Sequence, residues 1–204
     1  MRLLGKLDSP YVRRVAVSLH LLDVPFERDD LSVFTDYAAF AATNPIVKAP
    51  TLVTDDGTVL MDSTLILEVV EHELPRERRL SPADPVAFAR HQRTVGLALA
   101  ACEKTVQIVY EHRLRPEEKR HQPWLDRVGG QLDQAYALLE AELGGAEPWL
   151  FEERPTQADV TAAVTWHFTQ GMLPGRIAAD RHPRLAALSA RAEALPAFRA
   201  AAPA

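Results

Sequence analysis

A single cysteine, Cys102, stands in a chain of 204 residues. One thiol can neither close an internal disulfide nor form a redox pair. That excludes a dithiol oxidoreductase and agrees with a reducing compartment. Long apolar runs are missing too. None approaches the roughly 18 residues of a membrane span, so a cytoplasmic chain with no leader and no membrane partner is expected. A basic surplus is also absent, with 23 Lys and Arg against 28 Asp and Glu. The cations are scattered, so no footprint for nucleic acid arises. The 7 histidines show no pair at i+2 or i+4, and no metal site is expected.

What is there is the balance of a globular protein, 47% apolar and 25% charged. A chain of this length can bury roughly 70% of its unfolded surface and needs no staple. Leu3-Leu4 reads as a short buried strand. Ser9-Pro10 then opens a helix on which Val12, Val15, Ala16 and Leu19 share one face, with Ser as N-cap and Pro at the first helical position. A second strand is expected over Phe26 to Leu31, and a short helix over Asp36 to Ala42, before Asn44-Pro45. Two β-prone runs, Pro50 to Thr54 and Thr58 to Met61, flank Asp55-Asp56-Gly57 and predict a hairpin. Asp62-Ser63 caps a helix to about His72. The order β-α-β-α-β-β-α implies a mixed sheet with helices against it.

The polar stretch from Pro75 to Pro85 has the composition of a linker, and the rest reads as helical. Phe88, Val95, Cys102 and Val109 recur every seven residues, with Leu99 and Val106 between, and predict one apolar stripe on a long helix. Leu125, Val128, Leu132, Ala135 and Leu139 predict a second, ending at Gly144-Gly145. Further helices start at Thr156 and after His182-Pro183, and the chain closes in an Ala/Pro tail.

Three places could carry chemistry. Ser9, at the mouth of a helix, can donate to an anion beside free N–H groups and a partial positive charge, or simply cap its own helix. No base lies near it in sequence, so a serine nucleophile is not expected. Lys48-Ala49-Pro50 is either a cis turn that leaves the backbone of Ala49 open to a peptide, or a trans proline beginning an edge strand. Asp62-Ser63 can hold an amine and a carboxylate, as an amino-acid head group requires, or serve as an N-cap. Thr156-Gln157-Ala158-Asp159 reads as a capping box that serves folding. Cys102 is expected to be buried and inert. Tyr110, Trp124, Trp149 and Trp166 read as core or interface residues.

In their order and spacing these motifs resemble those of the cytosolic glutathione S-transferases, over essentially the whole chain. They are Ser9-Pro10-Tyr11, Asn44-Pro45, Lys48-Ala49-Pro50, the hairpin, Asp62-Ser63, Thr156-Gln157-Ala158-Asp159 and Pro196-Ala197-Phe198. The serine at the first helix is similar to the theta, zeta and tau types; the beta type has cysteine there. The resemblance implies an α+β/α two-domain fold. A thioredoxin-like N-terminal domain over 1–75 would bind glutathione, followed by a linker over 76–85 and an all-helical C-terminal bundle over 86–204. Ser9 would hydrogen-bond the glutathione sulfur, with Tyr11 as the competing hydroxyl. Pro50 would be cis, and Ala49 would pair its backbone with the cysteinyl unit. Asp62 and Ser63 would hold the γ-glutamyl amine and carboxylate, and Lys48 would reach the glycyl carboxylate. Tyr11 and Tyr110 would border the pocket for a small hydrophobic electrophile.

Glutathione enters as co-substrate, with no metal or redox cofactor, and a homodimer working in detoxification is implied. Peroxidase, dehalogenase or disulfide reductase chemistry at the same site is the alternative, as is a non-catalytic ligand- or protein-binding relative. Two departures stand out. Val47 and Ala49 occupy places where the family often has Gly and Val or Ile, and the Ser-Ser-Cys motif of the maleylacetoacetate isomerases is absent.

Overall fold

A computed structural model of the chain describes residues 1–144 and 148–203. It divides into two compact units, Met1–Leu80 with Ala194–Ala204, and Ser81–Glu193. Gly145, at the expected end of the second long helix, lies outside the described residues.

The first unit runs β1 (Arg2–Leu4), α1 (Pro10–Leu21), β2 (Glu27–Asp29), α2 (Tyr37–Ala41), β3 (Thr51–Val53), β4 (Val59–Met61) and α3 (Ser63–His72). The strands lie in the order β2-β1-β3-β4. β1 pairs parallel with β2 across the α1 crossover and antiparallel with β3, and the β3–β4 hairpin closes the edge. Three-residue strands contribute little by themselves. The unit is held by Leu3, Leu4 and Leu52 of the sheet against Val15, Ala16 and Leu19 of α1 and Ile66 and Val70 of α3, all essentially without solvent exposure. This is the thioredoxin-like arrangement expected of the sequence.

The closing segment is no tail. Pro196–Ala200 forms a helix, α8, that packs on α1. Arg13 explains why. It is 2% exposed, its Nε donates to the carbonyl of Ala201 at 2.9 Å, and its guanidinium lies over the Phe198 ring at 5.6 Å. A buried cation is tolerated only when its donors are met and its charge faces a π-system or dipole. The Ala- and Pro-rich composition concealed these contacts, because they are made to a residue far away in sequence.

The second unit holds α4 (Pro85–Arg113), α5 (Gln122–Glu142), α6 (Gln157–Met172) and α7 (Pro183–Glu193). The α5 stripe is buried at Val128, Leu132, Ala135 and Leu139. The α4 stripe is displaced from the heptad read in the sequence. Phe88 is 40% exposed, while His91, Thr94, Ala98, Ala101, Thr105 and Ile108 join Val95, Cys102 and Val109 on the buried face. The threonines and the Nε2 of His91 on that face are each met by a hydrogen-bond partner. Thr94 and Thr105 donate to the carbonyls of Arg90 and Ala101. His91 Nε2 accepts the N–H of Ala158 in the first turn of α6 at 3.2 Å. A buried relay joins three helices: the Tyr136 hydroxyl donates to Thr169 Oγ1 at 2.6 Å, which lies 2.8 Å from Thr105 Oγ1. Burial pushes the Tyr136 phenol well above its ordinary value, so it stays a donor. Trp166 lies in this core, whereas Trp124 is 40% exposed. Among the described residues no helix is long and apolar enough to cross a membrane.

Candidate active site

α1 begins where the sequence marks it. Ser9 is the N-cap, with extended backbone (φ −74, ψ 121), and Pro10 is the first helical residue. The Ser9 Oγ accepts from the Val12 N–H at 3.4 Å, at the long limit of a hydrogen bond. Capping therefore engages this hydroxyl only weakly. No acidic side chain sits in the first turn, so the positive field of the helix end is not neutralised from within. Ser9 and Tyr11 are both half-buried.

The loop before β3 is pinned from beneath. Asn44 is 4% exposed; its Oδ1 accepts the Ile46 N–H at 3.0 Å and its Nδ2 donates to Thr51 Oγ1 at 2.8 Å. Thr51 in turn donates to the carbonyl of Lys48 at 2.7 Å. The chain arrives at a cis Ala49-Pro50 bond. Val47 takes φ +52, a left-handed value that a β-branched residue adopts only at a cost of about 1–3 kcal/mol. This is the position where the family often has glycine, so the sequence departure becomes a backbone one. Gly5, at the end of β1, takes φ +130; a Cβ there would stand 2.6 Å from Val12 Cγ2 and 3.1 Å from Ala49 Cβ. Only glycine lets the start of α1 and the Ala49 loop close on the same strand end.

The third element is the start of α3. Asp62 is the N-cap at φ +72, with Oδ1 accepting from the Thr64 N–H at 3.0 Å and Oδ2 3.6 Å from Lys48 Nζ. Both partners of that ion pair are about half exposed, so it ties the loop to the helix loosely. Ser63 is 3% exposed, and its Oγ accepts from Arg14 Nη1 at 3.0 Å. The same Nη1 reaches Thr64 Oγ1 at 3.0 Å. Arg14 is itself buried at 3% exposure. An accepted hydrogen bond at Oγ leaves the Ser63 proton for an outside acceptor, and the buried guanidinium adds positive charge behind it. The Ser63 hydroxyl can therefore donate as well as accept.

Seven of the eight residues singled out in the sequence therefore fall on the first unit, around Gly5 and the two helix starts. The eighth, Tyr110, lies on α4 in the second unit. It is 45% exposed, with burial raising its phenol above the ordinary value. Residues 3–78 match the family described as glutathione S-transferase, N-terminal domain, and residues 122–191 match the glutathione S-transferase C-terminal domain. A glutathione S-transferase of Methylobacterium radiotolerans, crystallised in complex with glutathione sulfonate, is 30% identical. It superposes with a TM-score of 0.90 over 99% of this chain and 94% of that one. The chain belongs to the glutathione S-transferase family.

Two further likenesses bear on activity. A glutathione transferase family member of Pseudomonas fluorescens, solved with bound glutathione, is 28% identical with a TM-score of 0.83, covering 100% of this chain and 98% of that one. The maleylacetoacetate isomerase of Pseudomonas aeruginosa is 28% identical over 212 residues, which is 100% of this chain and 96% of the isomerase.

Sequence reasoning missed Arg14, Gly5 and Thr51, and singled out Asn44 only within the Asn44-Pro45 motif, without its role beneath the loop. Arg14 carried a signal, since Arg13-Arg14 interrupts the apolar face of α1 with two adjacent cations that a buried helix tolerates only when paired. Gly5 also carried one, lying between a strand and a helix cap. Thr51 gave none, because its bond to Asn44 spans a loop whose closure the sequence does not display.

Proposed function

We propose that this transferase binds glutathione on the first unit and conjugates its thiolate to a small apolar electrophile. The observation that carries the reading is the Arg14–Ser63 pair at the start of α3. There a buried hydroxyl accepts from a buried guanidinium and keeps its own proton to donate, next in sequence to the carboxylate of Asp62. Together these groups suit the carboxylate and amine of a γ-glutamyl head. The backbone of Ala49, before the cis proline, would pair with the cysteinyl unit. Ser9, weakly engaged as a cap, can donate to the sulfur. The glutathione ligands of the Methylobacterium and Pseudomonas fluorescens structures support the same reading.

Calorimetry tests it. Wild-type protein is expected to bind glutathione with proton release at neutral pH. Ser63→Ala should weaken binding at least about fivefold, and Arg14→Met about tenfold or more, since hydrogen bonds to charged groups contribute roughly 1.5–3 kcal/mol. Glutathione lacking the γ-glutamyl carboxylate should bind all three proteins alike. Unchanged affinity in both variants would remove the head-group assignment.

The likeness to the isomerase favours a second reading, glutathione-assisted isomerisation on the same site. Ser9-Pro10-Tyr11 stands in place of the Ser-Ser-Cys motif, which speaks for conjugation. Product analysis with an aryl halide and with a cis-enol diketo acid separates the two. Cys102 is 1% exposed within α4, which speaks against disulfide exchange through a protein thiol.

A homodimer belongs to the same proposal. Val59, Met61 and Leu65 leave apolar side chains 45%, 39% and 55% exposed along β4 and α3. Light scattering is expected to return twice the chain mass, and a monomer at micromolar concentration would refute it.

A further inference from the structure

Arg13 and Arg14 are consecutive residues of α1, and both are buried, at 2% and 3% exposure. Successive side chains on a helix stand about 100° apart, so the two guanidiniums leave α1 toward different neighbours. Arg14 Nη1 lies 3.0 Å from Ser63 Oγ and 3.0 Å from Thr64 Oγ1, at the start of α3. Arg13 turns to the closing segment, where its Nε donates to the Ala201 carbonyl at 2.9 Å and its guanidinium covers the Phe198 ring. Phe198 and Ala201 are themselves buried, so this contact belongs to the core.

Stability alone does not call for a cation there. An apolar side chain of similar length would also cover Phe198, and exchanging buried charge for apolar groups is often neutral or stabilising. What the guanidinium adds is direction. Val15, Ala16 and Leu19 hold α1 on the sheet through contacts that have no preferred angle, whereas the fork of Arg13 fixes the helix about its own axis. Side-chain ends lie about 5–6 Å from a helix axis, so a rotation of about 15° carries them about 1.5 Å. That displacement breaks the bond between Arg14 and Ser63. The Arg13 N–H also closes the first turn of α1 on the Ser9 carbonyl at 2.9 Å. We propose that Arg13 is a positioning residue for the glutathione site: clamped by the closing helix, it sets the rotation of α1 at which Arg14 meets Ser63. The inference rests on the glutathione reading above and deepens it, giving the far end of the chain a part in recognising the γ-glutamyl carboxylate. Arg13 acts through Arg14 and does not touch the ligand.

The test is calorimetry on the full-length protein, with glutathione and with its analogue lacking the γ-glutamyl carboxylate. Arg13→Met keeps an apolar stem and removes the donor to Ala201. It is expected to weaken glutathione about fivefold, as for residues coupled through one network, and to leave the analogue unchanged. In the Ser63→Ala background the same substitution should weaken glutathione by about twofold or less, since the hydroxyl that Arg14 holds is gone. Phe198→Leu removes the ring and leaves the bond to Ala201, and should give the same pattern at about twofold. Should Arg13→Met not fold, Phe198→Leu with and without Ser63→Ala decides by the same comparison. A merely structural loss falls on both ligands alike and adds in full to that of Ser63→Ala. Either result would overturn the proposal, as would unchanged glutathione affinity in Arg13→Met. Wild type that binds neither ligand at millimolar concentration sinks the glutathione reading and the role of Arg13 with it. Wild type that prefers glutathione to the analogue, beside an Arg13→Met protein with the same preference, sinks only the role of Arg13.

Discussion

Asp159→Ala is expected to destabilise the protein by about 3–4 kcal/mol and lower Tm by roughly 10 °C, the largest stability effect of any single substitution considered. Asp159 has no solvent exposure, and its carboxylate gathers three donors at the start of α6. Oδ2 accepts from the Thr156 N–H at 2.8 Å and the Thr156 hydroxyl at 2.7 Å, and Oδ1 accepts from the Leu150 N–H at 2.9 Å. Removing the acceptor leaves those donors behind in a site that water does not reach, so the loss exceeds that of an exposed cap. Asp159→Asn keeps an acceptor for Leu150 but turns a donor toward Thr156, and an intermediate loss is expected.

Burial pushes the Asp159 carboxyl above its ordinary value, against the pull of its Thr156 and Leu150 donors. The sign of the pH effect follows. Between the ordinary value and the raised one, the folded chain keeps a proton that the unfolded chain has released. Stability contributed here therefore falls as pH rises through that window and is level above it. The advantage of wild type over Asp159→Ala should be larger near the ordinary carboxyl value than at neutral pH. Thermal and urea unfolding at both pH values check this. A Tm within about 2 °C of wild type would show that the three bonds contribute nothing net.

Ser9→Ala is expected to raise the pKa of the bound glutathione thiol by about 1–2 units and to slow conjugation at neutral pH by about 10–100-fold. A free thiol titrates near ~8.5, and a hydrogen bond to its charged form contributes roughly 1.5–3 kcal/mol, with about 1.4 kcal/mol per unit. The end of α1 persists in the variant and retains about 0.3–1 kcal/mol of activation. The pH profile of kcat/KM and the ultraviolet absorbance of the bound thiolate both read the shift. Ser9 also caps α1, so about 1 kcal/mol of stability is lost with it, and a melting curve separates that from the effect on the sulfur. Tyr11→Phe is expected to leave the profile in place. Should Tyr11→Phe move it and Ser9→Ala not, the hydroxyl at the sulfur is Tyr11.

The proposed site residues legible in the sequence were those whose conformation is set by local chain chemistry. Ser9-Pro10 and Asp62-Ser63 are helix starts, and a start is written by the residues that occupy it. Asp55-Asp56-Gly57 is a turn for the same reason, and Thr156 with Asp159 is a box closed within one helical turn. The stripe on α4 shows where such reading fails. A strict heptad pointed to Phe88, but a straight helix advances 3.6 residues per turn, and the helices packed on α4 selected Thr94, Thr105 and His91 instead. Polar residues on that face look solvated until their acceptors and donors are known.

The sequence by itself determined where most helices and turns begin, the mixed sheet and the family; the closing helix and its place with the first unit it did not show. Only the tertiary structure decided which side chains act together. Arg14 reaches Ser63 across 49 residues, and Arg13 reaches Ala201 across 188. Asn44 holds Thr51 beneath the Ala49-Pro50 bond, and Gly5 makes room for α1 and that loop at one strand end. Periodicity and capping act within a few residues, through the backbone itself. The pairing of buried charges and the closeness of one backbone to another depend on positions brought together only when the whole core has closed.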